Sequence, residues 1–458
     1  MLLAVAERDA YANLLLPELI RQRGLTGRDA ALATELAYGT LRGRGSYDAV
    51  LAICSDRDLS ALDAPVREVL RLGAHQLLGT RVAAHAAVAT SVTLVREKSG
   101  PRPAGFVNAV LRKVATRDLA AWLDIAAPDR AADPAGSLAV RYSHPRWIVA
   151  AFAAALGEQL TGPLTETAAA LAADNERPRV HLCVLPGRAD REELIRAGCE
   201  PARWSPYGGY LAEGDPAAIP AVAAGLAGVQ DEASQLAAIA LTRAAGGGQG
   251  GQASPGGHDR HDGRGERWLD VCAGPGGKAR MLAGLAAGAG SRLVAAELRE
   301  HRARLVRGAT AAAQTCGVVV ADGTRPAWDA GRFDRALADV PCSGLGALRR
   351  RPEARWRRGP GDVAALGELQ RDLLREALDS ARPGGVTAYV TCSPHPAETR
   401  EIMTAVLAGA PGTEVLDAPA VLAEVPGLRC PEPFSRYAQF WPHRHGTDAI
   451  FVALLRRR

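Results

Sequence analysis

Two short segments hold the side chains best suited to covalent chemistry. Asp339-Val-Pro-Cys-Ser-Gly-Leu-Gly346 and Thr391-Cys-Ser-Pro-His-Pro-Ala-Glu398 each set a cysteine beside Pro or Ser, just past a run of strand-forming residues. A thiolate is a strong nucleophile, and two cysteines at the carboxyl ends of two strands would converge over one crevice. A cysteine is more often a small core hydrophobe, and that is the reading for Cys54, Cys183, Cys199, Cys316 and Cys430. The 8 cysteines show no C-x-x-C pair and no His/Cys cluster at metal-ligand spacing, so neither a metal site nor a disulfide scaffold is expected.

A second group of residues suits a nucleoside-type ligand. Asp270-Val-Cys-Ala-Gly-Pro-Gly-Gly-Lys278 follows a strand pattern and opens a helix, so its glycines let backbone amides approach a ligand closely. The segment lacks both G-x-G-x-x-G and the Walker pattern, which argues against a dinucleotide or a triphosphate. Glu297 ends the next strand and is placed to accept from ribose hydroxyls; Asp322 ends the third and is placed to accept from an adenine amino group. Lys278 either contacts the ligand or is solvated. Beyond Asp339 comes Leu348-Arg-Arg-Arg-Pro-Glu-Ala-Arg-Trp-Arg-Arg358, with six arginines in ten residues. Guanidinium groups suit phosphates and an indole suits an unpaired base, so Arg349, Arg350, Arg351, Arg355, Trp356 and Arg357 are candidate RNA contacts.

These residues need a scaffold. Short β-branched runs at Arg267–Cys272, Arg292–Glu297, Val318–Asp322, Phe333–Asp339 and Gly385–Cys392 alternate with helical patterns, which predicts a mainly parallel Rossmann-like α/β sheet over 229–458. Upstream, apolar residues recur at helical spacing from about residue 7 to 118, as in Val66, Val69, Leu70 and Leu77, predicting an all-α domain of five or so helices within 1–126. Met1 falls inside the first helical pattern, and a short upstream piece is expected to be missing. A Pro/Asp/Ala-rich linker is expected over 127–137 and a small mixed α/β segment over 138–228, while Gly-rich 245–266 reads as a flexible insert. The chain is thus expected to be multidomain. At 458 residues with 47% hydrophobic and 23% charged content, it shows neither an apolar run long enough to span a bilayer nor the leader of a secreted protein, so a cytoplasmic protein is expected. The net charge of +5 points only weakly to an anionic partner.

Three helical stretches, Glu35–Arg42, Arg71–Leu78 and Phe106–Lys113, resemble the NusB-type RNA-binding module. With the Asp-Val-Pro-Cys and Thr-Cys-Ser elements, the chain resembles, over nearly its whole length, the RsmB/Fmu/Sun family of RNA (cytosine-5-)-methyltransferases. The resemblance implies S-adenosylmethionine as cofactor, held by Cys272, Ala273, Gly274, Pro275, Gly276, Gly277, Lys278, Glu297, Asp322 and Asp339. It also implies that Cys392 is the nucleophile and that Cys342 assists its later release. Gly274 stands where the family often has Ala or Ser, and Glu297 where Asp is commoner.

Carbon-5 of cytosine is a poor nucleophile until a thiolate adds at carbon-6, and Asp339 is suited to hydrogen-bond or protonate ring nitrogen-3 as that adduct forms. The target base must then be unstacked or flipped out. The NusB-like part favours 16S ribosomal RNA by analogy, with a monomeric enzyme and neither metal nor membrane involved. Three alternatives remain: a transfer-RNA methyltransferase, a non-catalytic RNA-binding assembly factor, and a DNA cytosine methyltransferase. The last would use Cys342 as nucleophile and would need a target-recognition domain for which residues beyond 400 leave no room.

Overall fold

The computed structural model describes residues 1–245 and 265–458; most of the Gly-rich stretch expected to be a flexible insert lies outside them. The chain forms two compact units, Met1–Arg177 together with Leu348–Gly359, and Pro178–Ala347 together with Pro360–Arg458.

The first unit is helical. Eight helices run from Leu2–Arg8 to Leu119–Ala126, more than the five or so expected. The excess comes from short helices and from a break at Gly43 that divides Gly27–Arg42 from Arg44–Cys54, where apolar spacing carries on across the joint. Helix Ala64–Gly79 starts on a proline in its first turn, where a missing N–H costs nothing, and buries Val66, Val69, Leu70 and Ala74. Its neighbours approach closely at glycine: a Cβ on Gly73 would lie 2.6 Å from Leu111, and one on Gly39 2.2 Å from the His75 ring. Buried Arg71 is neutralised by Glu68 at 2.5 Å and Asp48 at 2.7 Å. A helix, Pro134–Arg141, begins inside the expected linker, because Asp133 accepts the Gly136 N–H at 2.9 Å and a proline follows at the first helical position. Two further helices, Arg146–Leu156 and Thr165–Ala173, complete this unit. The boundary at 177/178 therefore divides the segment expected to be one small α/β piece.

The second unit holds two sheets. The smaller contains β1 (Val180–Val184), β2 (Glu200–Pro201), β3 (Gly208–Leu211) and β4 (Ala227–Val229) in the order β2-β3-β1-β4, all antiparallel. The larger is built from β5 (Arg267–Asp270), β6 (Arg292–Glu297), β7 (Cys316–Val320), β8 (Phe333–Asp339), β9 (Ala381–Thr391), β10 (Thr413–Leu416), β11 (Ala438–Gln439) and β12 (Phe451–Arg457). Its order is β10-β12-β9-β8-β5-β6-β7, with β11 also paired to β12. The five strands read from the sequence form the parallel part. The antiparallel C-terminal strands were not anticipated; β12 pairs between β9 and β10 and is buried from Phe451 to Leu455.

The chain runs from β5 outward through β6 to β7, then returns to the other side of β5 for β8 and β9. This reversal leaves a crevice at the carboxyl ends of β5 and β8, the place where open α/β sheets bind ligands. Among the described residues no helix is long and apolar enough to cross a membrane.

Candidate active site

The two cysteines meet because their strands are neighbours in register. Asp339 at the end of β8 pairs with Val390 of β9, and adjacent strands lie about 4.8 Å apart. Cys342 and Cys392 follow a few residues beyond these ends, and their Sγ atoms stand 3.2 Å apart, both partly buried. The loops are also joined through backbone: Gly346 N–H donates to Cys392 O at 2.8 Å, and a Cβ on Gly346 would fall 1.8 Å from Ala449 O. The contact with Cys392, burial, the charge of Cys392 and that of Glu398 raise the Cys342 thiol well above its usual range, against a hydrogen bond from the Gly344 backbone.

Beside the thiols sits a cation. Lys278 Nζ donates to Asp339 Oδ2 at 3.0 Å, with its side chain 10% exposed. Burial works against the ammonium form, but Asp339, the bond to it, Cys392 and Asp270 outweigh burial and raise the lysine pKa. Lys278 is therefore charged and sheltered, and its solvated alternative does not apply.

Asp270, at the end of β5, was not assigned a role from sequence. It is fully buried, accepts the Cys272 N–H at 3.2 Å through Oδ1, and has no partner for Oδ2. Burial, then the charge of Asp339, push its carboxyl up to about 8. Cys272 is held as a thiol by burial and by Asp270, Asp339 and Glu297, opposed by Arg302.

The Gly-rich turn is shaped against Glu297. Gly274 N–H donates to Glu297 Oε2 at 3.1 Å, and a Cβ there would lie 2.1 Å from that oxygen, so a side chain at 274 would make the Glu297 carboxylate move. Arg302, a second residue that carried no signal in the sequence, donates to Gly274 O at 2.7 Å and lies 3.7 Å from Glu297. Ala273 is buried, Pro275 exposed, and Gly276 takes φ +115° to start the helix Gly277–Gly288. Gly277 has nothing nearer to a would-be Cβ than Gln230 at 3.9 Å, leaving backbone open to a ligand. Asp322 accepts the Thr324 N–H and hydroxyl at 2.9 and 2.8 Å, a turn that holds its carboxyl below the usual range.

This donor set fits S-adenosylmethionine. Glu297 and Asp339 present acceptor oxygens at the ends of their strands, and the buried Asp270 Oδ2 lacks a hydrogen-bond partner; a ligand with ribose hydroxyls and an ammonium answers both. Among the described residues no group of His, Cys, Asp and Glu is arranged to hold a metal ion.

The arginine-rich segment takes a different place from the one its composition suggested. Arg355 is 0% exposed and donates to Arg42 O, Ser143 O, Asn175 Oδ1 and Asp174 O at 2.8 to 3.2 Å, all in the helical unit. Burial lowers its pKa to about 10, against Asp174 and with Arg42. Arg349 is buried as well. These two are corrections: the Arg355 guanidinium is committed to acceptors inside the protein, and Arg349 is buried where an exposed RNA contact was expected. Trp356 packs on Gly45 with the Arg44 guanidinium 5.2 Å from its ring centroid, and Arg357 donates to Ala10 O and lies over Tyr11. Arg350 is half-buried and Arg351 exposed.

A Rossmann-like sheet with a Gly-rich turn after its first strand and acidic residues at the following strand ends defines the methyltransferase class. Residues 261–456 match the family described as 16S rRNA methyltransferase RsmB/F, and residues 1–116 match the NusB family. The chain is 49% identical over 459 residues to the Mycobacterium tuberculosis protein named "Putative methyltransferase Rv1407", covering 99% of this chain and 94% of that one. It is 33% identical over 466 residues to ribosomal RNA small subunit methyltransferase B of Pseudomonas putida, covering 99% and 96%. The chain belongs to the RsmB/F family of S-adenosylmethionine-dependent RNA methyltransferases. Its fold is shared with the crystal structure titled PH0851, at TM-score 0.74 and 21% identity, covering 96% of this chain and 93% of that one.

Proposed function

We propose that this enzyme methylates carbon-5 of a cytosine in 16S ribosomal RNA through a covalent adduct on Cys392. The observation that carries the reading is the 3.2 Å approach of two thiols beside the Lys278–Asp339 pair; the family and the names of its relatives support the RNA class. S-adenosylmethionine, when bound, supplies an electrophilic methyl group. The Lys278 ammonium favours a thiolate at Cys392, which adds to carbon-6 of the base. The electron pair moves toward ring nitrogen-3, which takes up a proton from solvent and donates it in a hydrogen bond to the Asp339 carboxylate, and carbon-5 becomes nucleophilic; that proton returns to solvent when the ring's double bonds are restored. After the methyl group is transferred, the carbon-5 proton passes to water and the carbon-6 to sulfur bond breaks. Cys342, which holds its proton, donates to the departing Cys392 sulfur.

The test is transfer of labelled methyl groups to 16S rRNA and to transfer RNA by wild type, Cys392→Ala and Cys342→Ala, with denaturing gels for protein-bound RNA. Cys392→Ala is expected to lose activity by ~10³-fold or more without adducts, and Cys342→Ala to accumulate them. Adducts on Cys342 in place of Cys392 would reverse the roles, and wild-type transfer to tRNA alone would move the substrate class.

A further inference from the structure

Five residues outside the reacting group tie the cysteine loops together. Glu398 is 0% exposed; its Oε1 accepts Ser343 N–H at 2.7 Å and Gln370 Nε2 at 3.1 Å, and its Oε2 accepts the Ser343 hydroxyl at 2.5 Å. Gln370 also donates to Pro341 O at 2.9 Å, so both sides of Cys342 are held from one carboxylate. Ser343 Oγ lies 3.2 Å from Ser393 Oγ, next to Cys392, and Tyr389 OH, on the strand leading to Cys392, donates to Glu398 O at 2.8 Å. A buried anion is retained at a cost in desolvation and is compensated here by directed hydrogen bonds.

We propose that Glu398 is a positioning residue: its carboxylate bolts the Cys342 loop to the Cys392 loop and orients the S–H···S contact with Cys342 as donor and Cys392 as acceptor. The two sulfurs are chemically alike, so the contact needs an external asymmetry to have a direction. The charged groups supply it. The anion Glu398 stands on the Cys342 side and disfavours a second negative charge there, while Lys278, which feels the charge of Cys392, stands on the other. Asp339 and Asp270 face Lys278, and His395, with Glu401 near it, lies against Glu398 from the same loop, its imidazole kept neutral mainly by burial. The inference rests on the roles proposed above for the two cysteines, and the alkylation arm of its test is read without RNA.

The experiment is timed alkylation of the full-length protein by iodoacetamide across pH 6 to 9, with each cysteine peptide quantified by mass spectrometry. In wild type Cys392 is expected to react about tenfold or more faster than Cys342, since one unit of thiol pKa is a factor of ten in thiolate. Glu398→Gln should narrow that ratio to about threefold or less and lower kcat while leaving KM for S-adenosylmethionine within about twofold. Ser343→Ala, which deletes one hydrogen bond and keeps the carboxylate, should narrow the ratio less and serves if Glu398→Gln does not fold. An unchanged ratio in Glu398→Gln, or in Ser343→Ala where that variant stands in, overturns the proposal. A narrowed ratio in a protein whose wild type methylates no RNA would leave the positioning role standing and remove the reading of the reaction.

Discussion

Asp339–Gly346 and Leu348–Arg358 are consecutive in the chain, and both are built from residue types associated with function. In the first, cysteine, aspartate and serine stand at the carboxyl end of a parallel strand, and each reaches the crevice or the network behind it. In the second, arginine and tryptophan invite an RNA reading, yet Arg355 is buried among carbonyl oxygens and Trp356 lies against Gly45. The difference is one of constraint. A residue at a strand end has its position set by sheet register, which sequence pattern reveals. A long guanidinium on a loop goes wherever unsatisfied acceptors await it, and those acceptors come from residues hundreds of positions away.

The sharpest way to break this contrast is Arg355→Ala. Deleting the side chain removes the donor from four acceptors, two of them in buried hydrogen bonds, and leaves a cavity, so a loss of about 3–5 kcal/mol is expected in thermal or denaturant unfolding of the helical unit. Weaker RNA binding with an unchanged melting curve would instead return Arg355 to the RNA surface.

Within the crevice, Asp270→Asn is expected to have an intermediate effect with a pH signature. The folded carboxyl sits at about 8, far above the unfolded value, so the native state binds a proton that the unfolded chain releases between about pH 4 and 8. Wild-type stability should fall as pH rises through that window, and the asparagine variant should lose that slope and melt ~3 °C or more higher at pH 8. Parallel melting curves for the two proteins from pH 5 to 8.5 would show that Asp270 is ionised in the fold.

Arg351→Ala should be the mildest. The side chain is exposed, so the melting temperature should not move, while RNA affinity falls about two- to threefold and the salt dependence weakens by about one counterion. No change in binding would leave the whole arginine segment to a structural role.

How far the site could be read varied by residue. Cys342, Cys392, Lys278, Glu297 and the glycines of the turn were legible because strand–turn–helix punctuation places them at one edge of a parallel sheet. Glu398 was visible only as the last residue of a quoted motif, and Gln370 and Arg302 lay in ordinary helices with nothing to distinguish them. Their importance comes from whom they face. Likewise β12 was not anticipated, because an antiparallel strand inserted beside β9 is recognised by its partner and not by its own period.

By itself, then, the order of residues determined the alternation of strands and helices, the helical character of the first 126 residues, and which side chains stand at the strand ends, since these depend on local periodicity and turn chemistry. Tertiary structure decided the 3.2 Å spacing of the two sulfurs, the burial of the Asp270 and Glu398 carboxyl groups, and the internal fate of Arg355. Those depend on register, on dielectric and on which acceptors are left unsatisfied, and such quantities exist only once distant parts of the chain have met.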